Sequence, residues 1–171
     1  MLITNIEGFN LSSPLERPFG WSNGWISARV VGLLKIETDE GITGWGEGYV
    51  GARGDFVKQL FGDLLIGADP LNRNALWQGM FDRVYNGNNA GGFGGSAISA
   101  VDIALWDIAG KAAGQSVSDL LGGRIRDKVA VYATGLYYTE GEFPTRLLDE
   151  ATMYVELGFK GMKTKIGAAH P

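Results

Sequence analysis

The sequence predicts an α+β domain, a three-stranded antiparallel meander followed by helices. Near its end this gives way to the opening strand–helix–strand of an α/β domain. Three observations carry the prediction. Positions 1–50 hold three apolar stretches, the last two joined by a turn at Asp39-Glu40-Gly41. From Arg53 the apolar period changes to 3.6. From Val129 a continuous apolar run, a helical stretch and a second short strand follow in order.

The first strand, Leu2–Phe9, places apolar residues at Leu2, Ile6 and Phe9 with imperfect alternation. Arg29–Thr38 is the stronger strand, with Val30, Leu34 and Ile36 among its members, and Ile42–Glu47 returns from the turn. Between the first two strands, Ser12–Trp25 holds two prolines and two tryptophans and is expected to be a long surface loop. Phe56, Leu60 and Leu64 line one helix, stopped by Gly67-Ala68-Asp69-Pro70. Leu76, Met80, Phe81 and Val84 line a second. Ser96–Ala113 is apolar or small on nearly every side, the mark of a helix buried by several neighbours, and Gly114 can end it. Val117–Gly123 is a short further turn.

After Arg124-Ile125-Arg126-Asp127, the run Val129–Thr134 has the character of a strand covered on both faces. Pro144 suits a first helical turn, Leu147, Leu148, Ala151 and Val155 keep helical spacing, and Gly158 stops the helix. Gly161–Ile166 is the next strand. Strand–helix–strand forces parallel pairing. Two parallel strands cannot cover both faces of a sheet, so the chain is expected to be a fragment.

Composition removes several classes of function. The 15 Lys+Arg against 19 Asp+Glu give a net charge of −4, without the basic footprint that binds nucleic acid. Apolar runs fall short of the roughly 18–20 residues a membrane span requires, and Met1–Asn5 lacks the start of a signal peptide. With 0 Cys there is no thiolate site, and a single His leaves little room for histidine-based metal sites or a triad. The expectation is a cytoplasmic globular protein with neither nucleic acid nor membrane as partner.

Among chemistry-bearing residues, Lys163-Thr164-Lys165 is the most informative. Alternation puts both lysines on one face and Met162, Thr164 and Ile166 on the other. Adjacent ammonium groups depress each other's pKa, one route to a lysine base; solvent-facing lysines are the plainer reading of the triplet alone. Asn86–Gly95 lacks the Lys-Ser/Thr of a phosphate loop and is read as a helix connection. His170 is read as a loop residue. Asp102 and Asp107 sit in the buried helix, where carboxylates need partners, and Asp107 with Lys111 has the spacing of a structural pair. Trp21 and Trp25 fit either a core or a substrate lid.

The run Ala97–Lys111 (AISAVDIALWDIAGK), continued by Ser116–Gly123 (SVSDLLGG), resembles the mandelate racemase/muconate lactonizing enzyme family of the enolase superfamily. Thr43–Glu47, Ile66–Pro70 and Lys163–Gly167 agree with it at family-like spacing. The resemblance implies a capping domain over residues 1–127, then the start of a (β/α)7β TIM-type barrel over 128–171 that is incomplete here. It places Lys165 at the end of the second barrel strand as the base that removes the proton α to a carboxylate. Lys163 lowers its pKa and helps neutralise the substrate carboxylate. The negative intermediate must be met by fixed positive charge.

The same resemblance implies Mg2+ as cofactor, held by carboxylates expected beyond residue 171, so no metal ligand is assigned here. Phe19–Trp25 resembles cap loops that close over substrate, which makes Trp21, Asn23 and Arg53 candidate substrate-binding residues. The implied protein is a Mg-dependent lyase or isomerase and a homo-oligomer acting on a small carboxylate. A sugar-acid dehydratase leads, with racemase, cycloisomerase or epimerase as alternatives. The 171-residue chain alone is expected to be inactive. The other class of reading is a non-catalytic cap acting in binding or assembly.

Overall fold

Three antiparallel strands open the chain: β1 (Ile3–Trp21), β2 (Gly24–Thr38) and β3 (Thr43–Glu47), lying side by side in that order. The computed structural model describes residues 1–48, 54–87 and 91–167. Contacts divide the chain into two units, Met1–Ser12 with Val30–Arg124 and Ser13–Arg29 with Ile125–Pro171.

In the first unit β2 keeps a clean period of two, with Leu34, Ile36 and Thr38 buried. It pairs with β3 from Leu33↔Glu47 to Glu37↔Thr43. The inward positions of β3 are Gly44 and Gly46. A Cβ at Gly46 would overlap the Ala100 carbonyl oxygen, and one at Gly44 that of Ala104. The strand therefore lies directly on the backbone of helix α3 (Gly92–Ala113). Asp107 of α3 locks that contact, accepting from the Trp45 N–H at 2.8 Å and from Lys111 Nζ at 2.6 Å. Lys111 also donates to the Thr43 carbonyl at 2.7 Å, so the pair is structural, as its spacing suggests.

Helix α3 buries Ala97, Ile98, Val101, Leu105 and Ile108, while Ile103 is exposed, so it is covered on most sides but not all. Gly114 caps it at φ 63°, a left-handed turn suited to glycine. In α2 (Arg73–Asn86), Leu76, Met80 and Val84 are buried, as their spacing predicts. In α1 (Gly54–Leu65) the fully buried stripe is Val57, Phe61 and Leu65. The expected Phe56, Leu60 and Leu64 are only half-buried beside it. Two adjacent i,i+4 stripes are apolar there, and only packing against the sheet selects between them. Ser116 caps the short α4 (Val117–Leu120). Burial pushes the Asp102 carboxyl up, opposed by the charge of Arg73, whose guanidinium lies 4.1 Å from the Trp106 ring centre.

The expected loop over Ser12–Trp25 is instead strand on both sides of a two-residue turn at Ser22-Asn23. Pro14 and Pro18 misdirect the sequence reading. Because β1 is an edge strand, a residue without an N–H can sit on its unpaired side. Most of this hairpin is exposed, so no hydrophobic alternation marks it.

In the second unit β4 (Ala133–Thr134) and β5 (Met162–Lys163) pair in parallel around α5 (Thr145–Glu156). The run Val129–Tyr132 is not covered on both faces: Val129 is 72% and Val131 66% exposed. Two strands provide no layer to cover it. After β4 the chain turns through Leu136 at φ 54°, unusual for a residue with a Cβ. Glu150 of α5 holds that turn. One carboxylate oxygen accepts from the Leu136 N–H at 3.1 Å and the other from the Tyr154 hydroxyl at 2.6 Å. Among the described residues no helix is long and apolar enough to cross a membrane.

Three predictions follow from these contacts. Gly46→Ala should lower the denaturation midpoint by the equivalent of about 1–3 kcal/mol, the cost of forcing volume into a packed interface. Gly62→Ala, where a Cβ would meet only Lys58 Cβ at 3.9 Å, should stabilise α1 by about 0.5–1 kcal/mol in the same denaturation measurement. The Glu150 carboxylate raises the Tyr154 hydroxyl to about 12, mainly by accepting its hydrogen bond, with burial and carboxylate charge adding to the effect. Glu150→Gln should return it toward the ordinary value of about 10, read as phenolate formation in a pH titration.

Candidate active site

Lys163 is the second residue of β5, opposite Thr134 of β4, and Lys165 follows two residues on. Lys163 ends the strand, and its amine stands near enough for its charge to act on that of Lys165. The Lys165 amine lies below the ordinary lysine value, first through burial and then through the charge of Lys163 and the bond between them. A lysine so placed carries more neutral amine near neutral pH than a free one, which is what a proton-abstracting base requires.

The backbone beneath the two amines is pinned at Lys163, Lys165 and Ile166. The Gly135 N–H donates to the Lys163 carbonyl at 3.3 Å. The Tyr138 hydroxyl donates to the Lys165 carbonyl at 2.8 Å. Ser22, at the hairpin turn, donates its hydroxyl to the Ile166 carbonyl at 2.7 Å. Thr164 turns away from the lysines and donates to the Leu136 carbonyl at 3.0 Å. The Lys165 ammonium lies 5.1 Å from the centre of the Tyr137 ring, within range of a cation–π contact.

The hairpin end is fastened to the segment after β4. Gly20 and Tyr138 exchange backbone hydrogen bonds of 2.8 and 3.0 Å. Phe19 meets the Tyr137 ring with 4.5 Å between centroids. Arg17 pairs with Glu142 at 2.8 Å, and Arg146 joins the same carboxylate at 3.2 Å. A cleft of about 470 Å3 lies among Arg17, Pro18, Trp25, Thr139, Glu140 and Glu142.

Of the residues singled out in the sequence, Lys163 and Lys165 are brought together. Trp21 and Asn23 flank Ser22 at the hairpin turn, with their side chains exposed. Arg53 and His170 lie outside the described residues. Sequence reasoning missed Ser22, Tyr137 and Tyr138. The two tyrosines carry one available signal, their position just past the end of a strand, where barrel sites are built. Among the described residues no group of three or more His, Asp or Glu could hold a metal ion, so the residues described do not by themselves fit a magnesium site.

Comparison with known proteins agrees with the fold. The family model for the mandelate racemase/muconate lactonizing enzyme N-terminal domain matches residues 5–122. D-galactonate dehydratase of Variovorax paradoxus (strain S110) is 43% identical over 135 residues, 77% of this chain and 34% of that protein. D-galactarolactone cycloisomerase of Agrobacterium fabrum (strain C58 / ATCC 33970) is 37% identical over 171 residues, 98% of this chain and 44% of that protein. The chain thus spans from about a third to under a half of these relatives' length. The structure of N-succinyl Arg/Lys racemase from Bacillus cereus ATCC 14579 superposes with a TM-score of 0.81 at 31% identity, covering 99% of this chain and 45% of that one. A neighbour from Roseovarius nubinhibens ISM, solved in complex with magnesium, has a TM-score of 0.76 at 30% identity, covering 99% and 45%. A meander, its helices and the first parallel strands of a barrel, matched over most of their length, show that this chain belongs to the mandelate racemase/muconate lactonizing enzyme family of the enolase superfamily.

Proposed function

We propose that the protein takes part in abstracting the α-proton of a small carboxylate, with Lys165 as the base and a sugar acid as the substrate. The observation that carries this reading is the Lys163–Lys165 pair, two amines close enough to act on each other, with that of Lys165 below its ordinary value. In the proposed step the substrate carboxylate lies toward the Lys163 ammonium, and neutral Lys165 Nζ takes the proton from the adjacent carbon. Negative charge then grows on the carboxylate carbon's oxygens, against a cation already in place. For a sugar acid, loss of the β-hydroxyl completes a dehydration. The Variovorax and Xanthomonas relatives named D-galactonate dehydratase support that choice.

Cycloisomerisation is the second reading, favoured because the Agrobacterium cycloisomerase matches over 98% of this chain, the barrel strands included. Both begin with the same proton transfer. Dependence on Mg2+ is part of the proposal, supported by the magnesium-bound neighbour. Since the described residues form no metal site, the proton transfer is derived from the two lysines alone. Trp21 and Asn23 are proposed to contact substrate from the hairpin turn, together with Arg53. A cap over residues 1–127 and a barrel opening at 128–171 is the matching division of labour.

The test is exchange of the substrate α-proton with solvent deuterium, followed by NMR on the protein encoded by the complete reading frame, with D-galactonate and related sugar acids. Lys165→Ala should lower exchange by at least about 10²-fold, the lower end of a general base's contribution. Lys163→Ala should act more on KM than on the proton transfer. Exchange persisting near the unsubstituted rate in Lys165→Ala would move the base elsewhere.

A further inference from the structure

Lys165 faces an electrostatic conflict that its own strand does not relieve. Lys163 repels it from one side, and burial penalises its charged form. Yet the proposed base must accept a proton during each turnover, so its cation needs a resting place that is not an anion. A carboxylate there would raise the amine back toward full protonation and compete with the substrate for Lys163.

The described surroundings of Lys165 fit that requirement. Its own segment contributes Lys163. The stretch after β4 contributes Tyr137, by its ring, and Tyr138, whose hydroxyl is spent on the Lys165 carbonyl. The hairpin contributes Ser22, bonded to the next carbonyl, and Phe19, which touches Tyr137 and carries the Arg29 guanidinium 4.6 Å from its ring centre. On α5, the Glu150 carboxylate is occupied by the Leu136 N–H and the Tyr154 hydroxyl. Among the described residues, the ring of Tyr137 is offered to the ammonium.

We propose that Tyr137 is a positioning residue for Lys165, its ring receiving the ammonium beside Lys163, and that Phe19 of the hairpin braces that ring. This deepens the reading of Lys165 as the base and gives the hairpin a second task besides contacting substrate. A ring face favours the cation without bearing a net charge, so it tempers the depression imposed by Lys163 and burial without cancelling it. Because Phe19 belongs to the hairpin and Tyr137 to the segment after β4, docking of the hairpin and protonation of Lys165 are linked through one ring contact.

The experiment reads Lys165 directly and needs no turnover, so it stands or falls separately from the proton-exchange test. Competitive acetylation of the protein from the complete reading frame, quantified by mass spectrometry at a series of pH values, gives the titration of Lys165. Lys58 and Lys111 serve as internal controls for folding. Tyr137→Leu should lower the Lys165 midpoint by roughly half a pH unit, raising its acetylation about threefold at fixed pH below the midpoint. Tyr137→Phe, which keeps the ring and loses only the hydroxyl, should leave it in place, and Tyr137→Trp should raise it. Phe19→Leu should move it in the same direction as Tyr137→Leu. An unmoved midpoint in Tyr137→Leu with both controls unchanged would overturn the proposal, as would equal shifts in Tyr137→Phe and Tyr137→Leu. If Phe19→Leu leaves Lys165 unmoved, the bracing role of the hairpin fails.

Discussion

The Lys163 and Lys165 amines act on each other as like charges, and backbone bonds in the second unit hold the segment that carries them. The side chains alone would swing apart into water. They are kept in register because the backbone beneath them is bonded at Lys163, Lys165 and Ile166, by Gly135, Tyr138 and Ser22 respectively. The turn that supplies Tyr137 and Tyr138 passes through Leu136 at a positive φ and is held by Glu150 from α5. Each of these supports is a neutral donor or an already satisfied carboxylate. A free acid among them would pair with a lysine and remove the like-charge effect.

A different constraint shapes the first unit. There β3 gives up its inward side chains, Gly44 and Gly46, so that it can lie against the α3 backbone. The alanines along α3 serve the same end from the other side, and Asp107 with Lys111 ties the strand's polar groups to the helix. This explains why the most family-like run, Ala97–Lys111, carries Ala100 and Ala104 facing β3 and the Asp107–Lys111 pair. It encodes a close strand–helix contact and carries none of the proposed chemistry.

Much of this was legible without coordinates. The β2–β3 hairpin, the three helices of the first unit and the strand–helix–strand at the end follow from apolar spacing and from glycines and prolines at element ends. That the two lysines stand close together follows from their spacing of two residues. The structural role of Asp107 and Lys111 follows from their separation of one helical turn. In each case the partners are close in sequence, so local geometry suffices.

The β1–β2 hairpin end escaped, because an exposed edge strand with prolines has neither alternation nor an apolar stripe to announce it. The choice between the two stripes of α1 escaped because both are apolar and only the sheet decides which is covered. The surroundings of Lys165 escaped for the plainest reason: Tyr138 lies 27 positions from Lys165, and Ser22 lies 144 from Ile166. By itself the sequence determined how the fold's elements are ordered and which residues the proposed chemistry draws on. Only the tertiary structure decided which groups surround the lysine amine, because those contacts join segments that no local period connects.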